Sequence, residues 1–224
     1  MLSVSDAIRQ RTSIRVYKPD PVPEAVIRDI LDVARYAPSG GNVQPWKVIA
    51  VAGAARQAVI DAARNAADIS GEGEVGDRPI YPANLWEPHR TWRFKVGEDM
   101  YKLLGIPRED KGARLRQLAK NGEFFGAPVG LFFIIDERMG HGQWAHLGMF
   151  MQSVALAAQE RGVSSCMQEY WARSRQTLKK HFGLGETEMI YCGMALGYAD
   201  VSAPVNSLRS DRAAVDEFAQ FKGF

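Results

Sequence analysis

Val129-Gly-Leu-Phe-Phe-Ile-Ile135 is a nearly continuous apolar run, and a second apolar stretch follows it closely, Trp144-Ala-His-Leu-Gly-Met-Phe-Met-Gln-Ser-Val-Ala-Leu-Ala-Ala-Gln-Glu160. The first reads as a strand. The second is a helix apolar on most sides, through Leu147, Met149, Phe150, Met151, Val154 and Leu156, which places it centrally and buried. Downstream, the pattern predicts a strand over 163–168, a polar helix near 173–182 and a strand over 188–197. Upstream, Ser3 or Ser5 can cap a short helix running to about Arg11. Pro23 suits the first turn of a helix reaching Tyr36, whose apolar face is Val26, Ile27, Ile30, Leu31 and Ala34. Trp46–Ala52 reads as a strand, Ala54–Ala67 as a helix, and helices are expected around His89–Leu104 and Glu109–Asn121. Between them, residues 69–88 carry three glycines and three prolines, the signature of a long loop of the kind that covers a functional site. Strands alternate with helices, but several connections are long and the last segment leaves the core. That predicts an α+β layered domain rather than a regular doubly wound fold.

Composition narrows the function. The chain has 224 residues, 28 Lys+Arg against 26 Asp+Glu, 46% hydrophobic residues and two cysteines. This is enough chain to bury a core as one domain spanning 1–224. A formal net charge of +2 and the absence of a basic stripe argue against a nucleic-acid partner. No stretch approaches the ~18 apolar residues of a membrane span, and the N-terminus lacks the pattern of a secretory signal, so a cytoplasmic protein is expected. Cys166 and Cys192 sit in apolar stretches without a CxxC partner and read as small buried hydrophobes.

Two polar clusters carry chemistry. In Arg11-Thr-Ser-Ile-Arg15, an extended backbone puts Arg11, Ser13 and Arg15 on one side, with Thr12 between them. Two guanidiniums plus hydroxyls make a phosphate cradle, because arginine gives planar, charge-assisted, bidentate bonds; a solvated basic face is the other reading. In Ala37-Pro-Ser-Gly-Gly-Asn-Val-Gln-Pro-Trp46, small residues permit close backbone approach, and Ser39, Asn42 and Gln44 offer short donors and acceptors. A plain helix-to-strand loop is the alternative there. Gly71-Glu-Gly-Glu-Val-Gly76 matches the dinucleotide fingerprint in letters only: it follows no strand, opens no helix and carries two carboxylates. His141 and His146 are spaced wrongly for a helix-face metal pair, and neither a metal site nor a serine nucleophile elbow is expected.

The two clusters together, with the segment Asn206-Ser-Leu-Arg-Ser-Asp-Arg212, resemble the nitroreductase family of FMN flavoenzymes along essentially the whole chain. Ser165-Cys-Met-Gln-Glu-Tyr-Trp171 and Cys192-Gly-Met-Ala-Leu-Gly-Tyr-Ala-Asp200 look like its subgroup that includes 4-nitrobenzoate reductases. The resemblance implies a mixed central sheet flanked by helices, a cover over 69–125, and a C-terminal arm, 200–224, wrapping a partner subunit in a homodimer. It implies that Arg11, Thr12, Ser13 and Arg15 hold the FMN phosphate and ribityl chain, with Arg212 and neighbouring Arg209 as basic ligands from the arm. Pro38, Ser39, Gly40, Asn42 and Gln44 would reach the flavin from the partner. Met167, Gln168 and Glu169 match the strand end whose backbone approaches flavin N5; the family often has Glu-Gly where this chain has Gln-Glu. Relatives place an Asn and a Lys, three residues apart, at the flavin's pyrimidine edge, where reduction builds negative charge. Arg90 and Arg93 share that spacing here, and either Arg93 serves this edge or both are surface arginines.

The implied activity is hydride transfer from NADH or NADPH to FMN, then electron transfer in the same slot to a small electron-poor acceptor such as a nitroaromatic or quinone. Flavin carries that chemistry, so no catalytic side chain is expected. Trp86, Trp92, Phe124 and Phe125 are available to line the slot or to fill the core. Reductive dehalogenation, flavin breakdown on the same scaffold and non-catalytic flavin binding are the alternatives.

Overall fold

A computed structural model describes residues 2–66, 74 and 80–224. In chain order the elements are α1 (Val4–Gln10), α2 (Glu24–Ala34), β1 (Lys47–Ala52), α3 (Gly53–Ala66), α4 (His89–Leu103), α5 (Lys111–Ala119), β2 (Val129–Asp136), α6 (His141–Glu160), β3 (Ser164–Gln168), α7 (Arg175–His181), β4 (Glu188–Gly197) and a single turn, α8 (Val215–Phe218). Ser3 caps α1 by accepting the Asp6 N–H at 3.1 Å. Pro23 stands just before α2 rather than inside it.

The strands form one sheet in the order β1-β2-β4-β3, antiparallel at every pairing. This corrects the expected mixed sheet. β2 and β3 do run the same way, joined by α6 like a crossover unit, but β4 inserts between them and opposes both. Parallel pairing among the described residues is confined to an isolated bridge between Ser13 and Ser165, where the N-terminal segment covers the free edge of β3.

Period-two geometry sorts the core. Along β2, Val129, Leu131, Phe133 and Ile135 pack with α2 and α6 on one face. Phe132 and Ile134 join Val59 and Ile60 of α3 and Leu178 of α7 on the other. A strand covered on both faces needs no polar alternation, which is why β2 reads as an apolar run. α6 buries Leu147, Phe150, Val154 and Ala158 against the sheet, yet leaves Met149 46% exposed on its outer side. α4 buries none of its side chains.

Aromatic packing replaces helix at two places. Beyond α5, a 3-10 stretch over Lys120–Gly126 reverses the chain with Phe124 and Phe125 at φ 53° and 54°. That left-handed backbone is costly for bulky residues and is offset by burying both rings. Phe124 and Phe125 are therefore core, not slot, while Trp86 is exposed. Ahead of α7, a second 3-10 stretch, Glu169–Ser174, sets Trp171 4.4 Å from Phe124 and 5.2 Å from Phe132, centroid to centroid. Bare backbone at Gly130 and Gly193 makes room: a Cβ there would collide with Phe124 and Trp171 respectively.

Both thiols are free and buried, and burial pushes Cys192 up to about 12. Between Phe133 and Ile134 the β2–β4 register shifts, leaving Tyr191 as an extra residue in β4. The bulge turns Tyr191 and Cys192 to the same, α6-facing side. Among the described residues no helix is long and apolar enough to cross a membrane.

Gly193→Ala should lower stability by about 1–3 kcal/mol, because the rigid indole of Trp171 cannot yield to the added methyl. Urea unfolding measures this, with Gly97→Ala, which meets nothing within 4 Å in α4, as the control that does not lose stability.

Candidate functional site

The segment after α1 is extended and tied down on two sides. Ile14 donates its N–H to Ser165 C=O at 3.1 Å, and Lys18 donates to Tyr198 C=O at 2.8 Å. The third tie is Asn206, 7% exposed, in the segment that follows β4. Its Oδ1 accepts the Arg15 N–H at 2.8 Å, and its Nδ2 donates to Val16 C=O and Asp200 C=O, both at 2.8 Å. Thr12 adds a bond from Oγ1 to Leu208 C=O at 3.2 Å. Ile14 faces the core, so the alternate residues face outward, as the spacing predicts.

The result is a cavity of about 410 Å³ lined by Arg9 at the end of α1, by Arg11, Thr12, Ser13 and Arg15 from the extended segment and by Arg209 and Arg212 from the other. None of the five guanidiniums meets a carboxylate among the described residues. Arg15 bonds Ser13 C=O at 3.2 Å, Arg209 bonds Leu208 C=O at 3.0 Å, and Arg212 bonds Ser210 Oγ at 2.6 Å. Burial lowers the Arg11 pKa, and the nearby Arg212 charge lowers it further. Five cations gathered with no carboxylate partner among the described residues, beside hydroxyls and backbone, have the chemistry of a phosphate site and fit the phosphate of FMN.

Next to it, a cavity of about 700 Å³ between α4 and the arm shares Arg212 and Ser210 and is lined also by Trp92, Arg93, Lys95 and Phe218. Arg93 stacks on Tyr81 at 4.2 Å from the ring centroid. Arg90 is engaged elsewhere, by Glu87 at 2.7 Å. Lys95 ties α4 to the arm through Asp211 at 2.9 Å.

Met167, Gln168 and Glu169 line a third cavity, about 490 Å³, at the C-terminal end of β3, with Tyr81, Asn121, Tyr170, Arg173 and the bulged Tyr191. The Gln168 side chain turns inward: Nε2 donates to Asn121 C=O at 2.9 Å, and Oε1 accepts the Trp171 indole N–H at 3.3 Å. Partial burial raises the Glu169 carboxyl, against a lowering from Arg175.

The loop Pro38–Gln44 is not part of these cavities. Gly41, Asn42 and Gln44 are left-handed, at φ 59°, 54° and 50°. Ser39 Oγ accepts the Gln44 N–H at 3.0 Å, and the Gly40 N–H reaches His146 Nδ1 at 3.4 Å. Two non-glycine residues held in this region mark a loop shaped for contact. Pro38 instead borders a groove with Leu2, Val33, Tyr36 and Leu156 on the outer side of α1, α2 and α6.

The fingerprint-like Gly71–Gly76 lies outside the described residues except for Glu74, as does much of the loop at 69–79. The Glu74 carboxylate caps α7, accepting the N–H groups of Gln176 and Thr177 at 2.7 and 2.9 Å. Among the described residues no group of His, Cys, Asp and Glu side chains could hold a metal ion. Sequence reasoning missed Arg173, Tyr191 and the clamp role of Asn206. Only Asn206 left a signal, its place in the arm motif.

A layered α+β domain whose N-terminal segment and C-terminal arm frame an arginine-lined cavity has the form of a scaffold for a phosphate-bearing cofactor. The chain belongs to the nitroreductase family, whose sequence profile matches residues 8–198. It is 35% identical over 218 residues to nitrobenzene nitroreductase of Ectopseudomonas oleovorans, covering 97% of this chain and 96% of that one. To 4-nitrobenzoate reductase of Pseudomonas putida it is 36% identical over 220 residues, covering 97% and 94%. The crystal structure of the FMN and NADPH-dependent nitroreductase NfnB from Sphigopyxis sp. strain HMH superposes with a TM-score of 0.95 at 41% identity, over 100% of both chains.

Asn206→Leu should cost about 2–3 kcal/mol, since it leaves the Arg15 N–H unpartnered and strips one bond each from Val16 and Asp200. Urea unfolding reads the loss.

Proposed function

We propose that this chain is an FMN-dependent NAD(P)H oxidoreductase that reduces nitroaromatics and similar electron-poor acceptors, working as a homodimer in the cytoplasm. One domain spans 1–224, with 69–125 as its cover and 200–224 as its arm. The observation that carries the reading is the set of five arginines around the Ser13 cavity, none of which meets a carboxylate among the described residues. When bound, FMN supplies the electron chemistry, taking hydride from NADH or NADPH and passing electrons to the acceptor.

The chain's own residues bind and orient. Arg11, Arg15, Arg209 and Arg212 neutralise the phosphate, Ser13 presents its hydroxyl beside it, and Thr12 braces the cavity through its bond to Leu208 C=O. Arg93 adds a fixed positive charge near Arg212, suited to a flavin edge that gains negative charge. Met167, Gln168 and Glu169 frame the slot at the end of β3, and the inward Gln168 side chain holds that strand end rigid.

Three features support the dimer. Pro38–Gln44, including Ser39, Gly40 and Asn42, stand apart from the arginine cavity of their own chain and suit a site completed by the other. α4 buries no side chain within its chain. Phe218, Phe221 and Phe224 of the arm are 72%, 64% and 105% exposed, and Tyr36 and Met149 add further apolar surface. The relatives' acceptors differ in charge, nitrobenzene being neutral and 4-nitrobenzoate anionic, and identities of 35% and 36% do not choose between them.

The purified protein should be yellow, hold about one FMN per chain, bleach anaerobically with NADH or NADPH and regain colour with a nitroaromatic; a colourless protein that takes up no FMN ends this reading. Arg15→Ala should weaken FMN binding by roughly 2–4 kcal/mol, and Arg15→Lys should recover only part, because the planar fork is lost. Fluorescence titration of FMN into stripped protein measures both.

A complementation assay tests the shared site. Arg15→Ala and Asn42→Ala variants, inactive alone, should regain up to about a quarter of wild-type activity when mixed and exchanged, since half the dimers then carry one intact site. Confirmed exchange without activity overturns the shared site.

A further inference from the structure

The cavity at the end of β3, about 490 Å³, lies in the size range of small-molecule sites and has room for a substituted aromatic ring, and its walls are largely apolar or aromatic. Two charged side chains line it, Glu169 and Arg173. Glu169 is answered by Arg175, the cation that offsets its burial, and Arg175 Nε is itself anchored on Ile190 C=O at 3.0 Å. Arg173 has no such use: its guanidinium meets no carboxylate among the described residues. It lies 5.3 Å from the Tyr170 ring centroid, and its backbone C=O accepts the Glu74 N–H at 2.8 Å. The backbone bond fixes where the residue sits, and the Tyr170 ring gives its guanidinium a face to rest on while its N–H donors stay open to an anion.

We propose that Arg173 is a specificity-determining residue that selects acceptors bearing an aromatic carboxylate. The proposal rests on the oxidoreductase reading above, whose acceptor slot it assigns to the Met167–Glu169 cavity. Arg173 would pair with the carboxylate in the fork-to-fork manner while the aromatic walls take the ring. The nicotinamide donor also carries anionic phosphates, and the experiment must separate the two.

With the FMN-loaded enzyme, initial rates are compared for 4-nitrobenzoate and its uncharged analogue 4-nitrobenzamide in wild type, Arg173→Gln and Arg173→Lys. Binding of unreactive benzoate is followed by calorimetry. Arg173→Gln should lower kcat/KM for 4-nitrobenzoate about tenfold or more, mainly through KM, leave 4-nitrobenzamide within about twofold, and weaken benzoate binding in parallel. Arg173→Lys should fall between. An equal loss on both acceptors, an unchanged ratio, or an effect confined to the KM of NADH or NADPH overturns the proposal, the last by placing a donor phosphate at Arg173. Should wild type turn over neither acceptor, the oxidoreductase reading fails by itself; loss of benzoate binding in Arg173→Gln then still upholds carboxylate recognition, and unchanged binding overturns it.

Discussion

Three backbone groups, from two ends of the chain, converge on the carboxamide of Asn206. The Arg15 N–H donates to it, and the carbonyls of Val16 and Asp200 accept from it. A buried carboxamide can satisfy several main-chain groups at once, and leaving them unpaired would be costly. This clamp holds the residues after α1 against the start of the arm. With the Thr12–Leu208 bond, it brings the walls of the arginine-lined cavity together, since Arg11 and Arg15 come from one segment and Arg209 and Arg212 from the other.

That convergence is electrostatically unfavourable by itself. Arg11 feels both desolvation and the charge of Arg212, and both weaken its hold on the proton. Backbone hydrogen bonds and the packing of Ile14 and Leu208 offset the repulsion and keep the guanidiniums in place. A bound anion relieves the repulsion, so ligand binding and local stability are coupled in the same residues.

The sheet decides where the remaining parts of the site lie. Insertion of β4 between β2 and β3 leaves β3 at an edge, and that edge is capped by Ser13, which places the cradle beside the strand that ends at Gln168. The extra residue at Tyr191 turns two consecutive side chains the same way at that end. Across the sheet, the Phe124–Trp171–Phe132 cluster fixes the 3-10 stretch from Glu169, with glycine backbone at 130 and 193 as its floor. Core packing on one face thus rigidifies the rim of a cavity at the strand end.

The strands and most helices were legible because apolar spacing and punctuating prolines and glycines are local properties. Arg11, Ser13 and Arg15 were legible for the same reason: alternation along an extended segment needs no tertiary knowledge. The antiparallel order of the sheet, the burial of Phe124 and Phe125 and the separation of Pro38–Gln44 from the arginine cavity of their own chain were decided in three dimensions. Each depends on contacts between residues far apart in the chain, which local pattern does not encode. The same holds for Arg173. In sequence it is one cation among many, and its lack of a carboxylate partner among the described residues is a fact about its neighbours in space. Sequence by itself determined which residues could carry charge and which faces had to be buried. Tertiary structure decided which of those charges would be left without a counter-ion, because only packing brings partners together or keeps them apart.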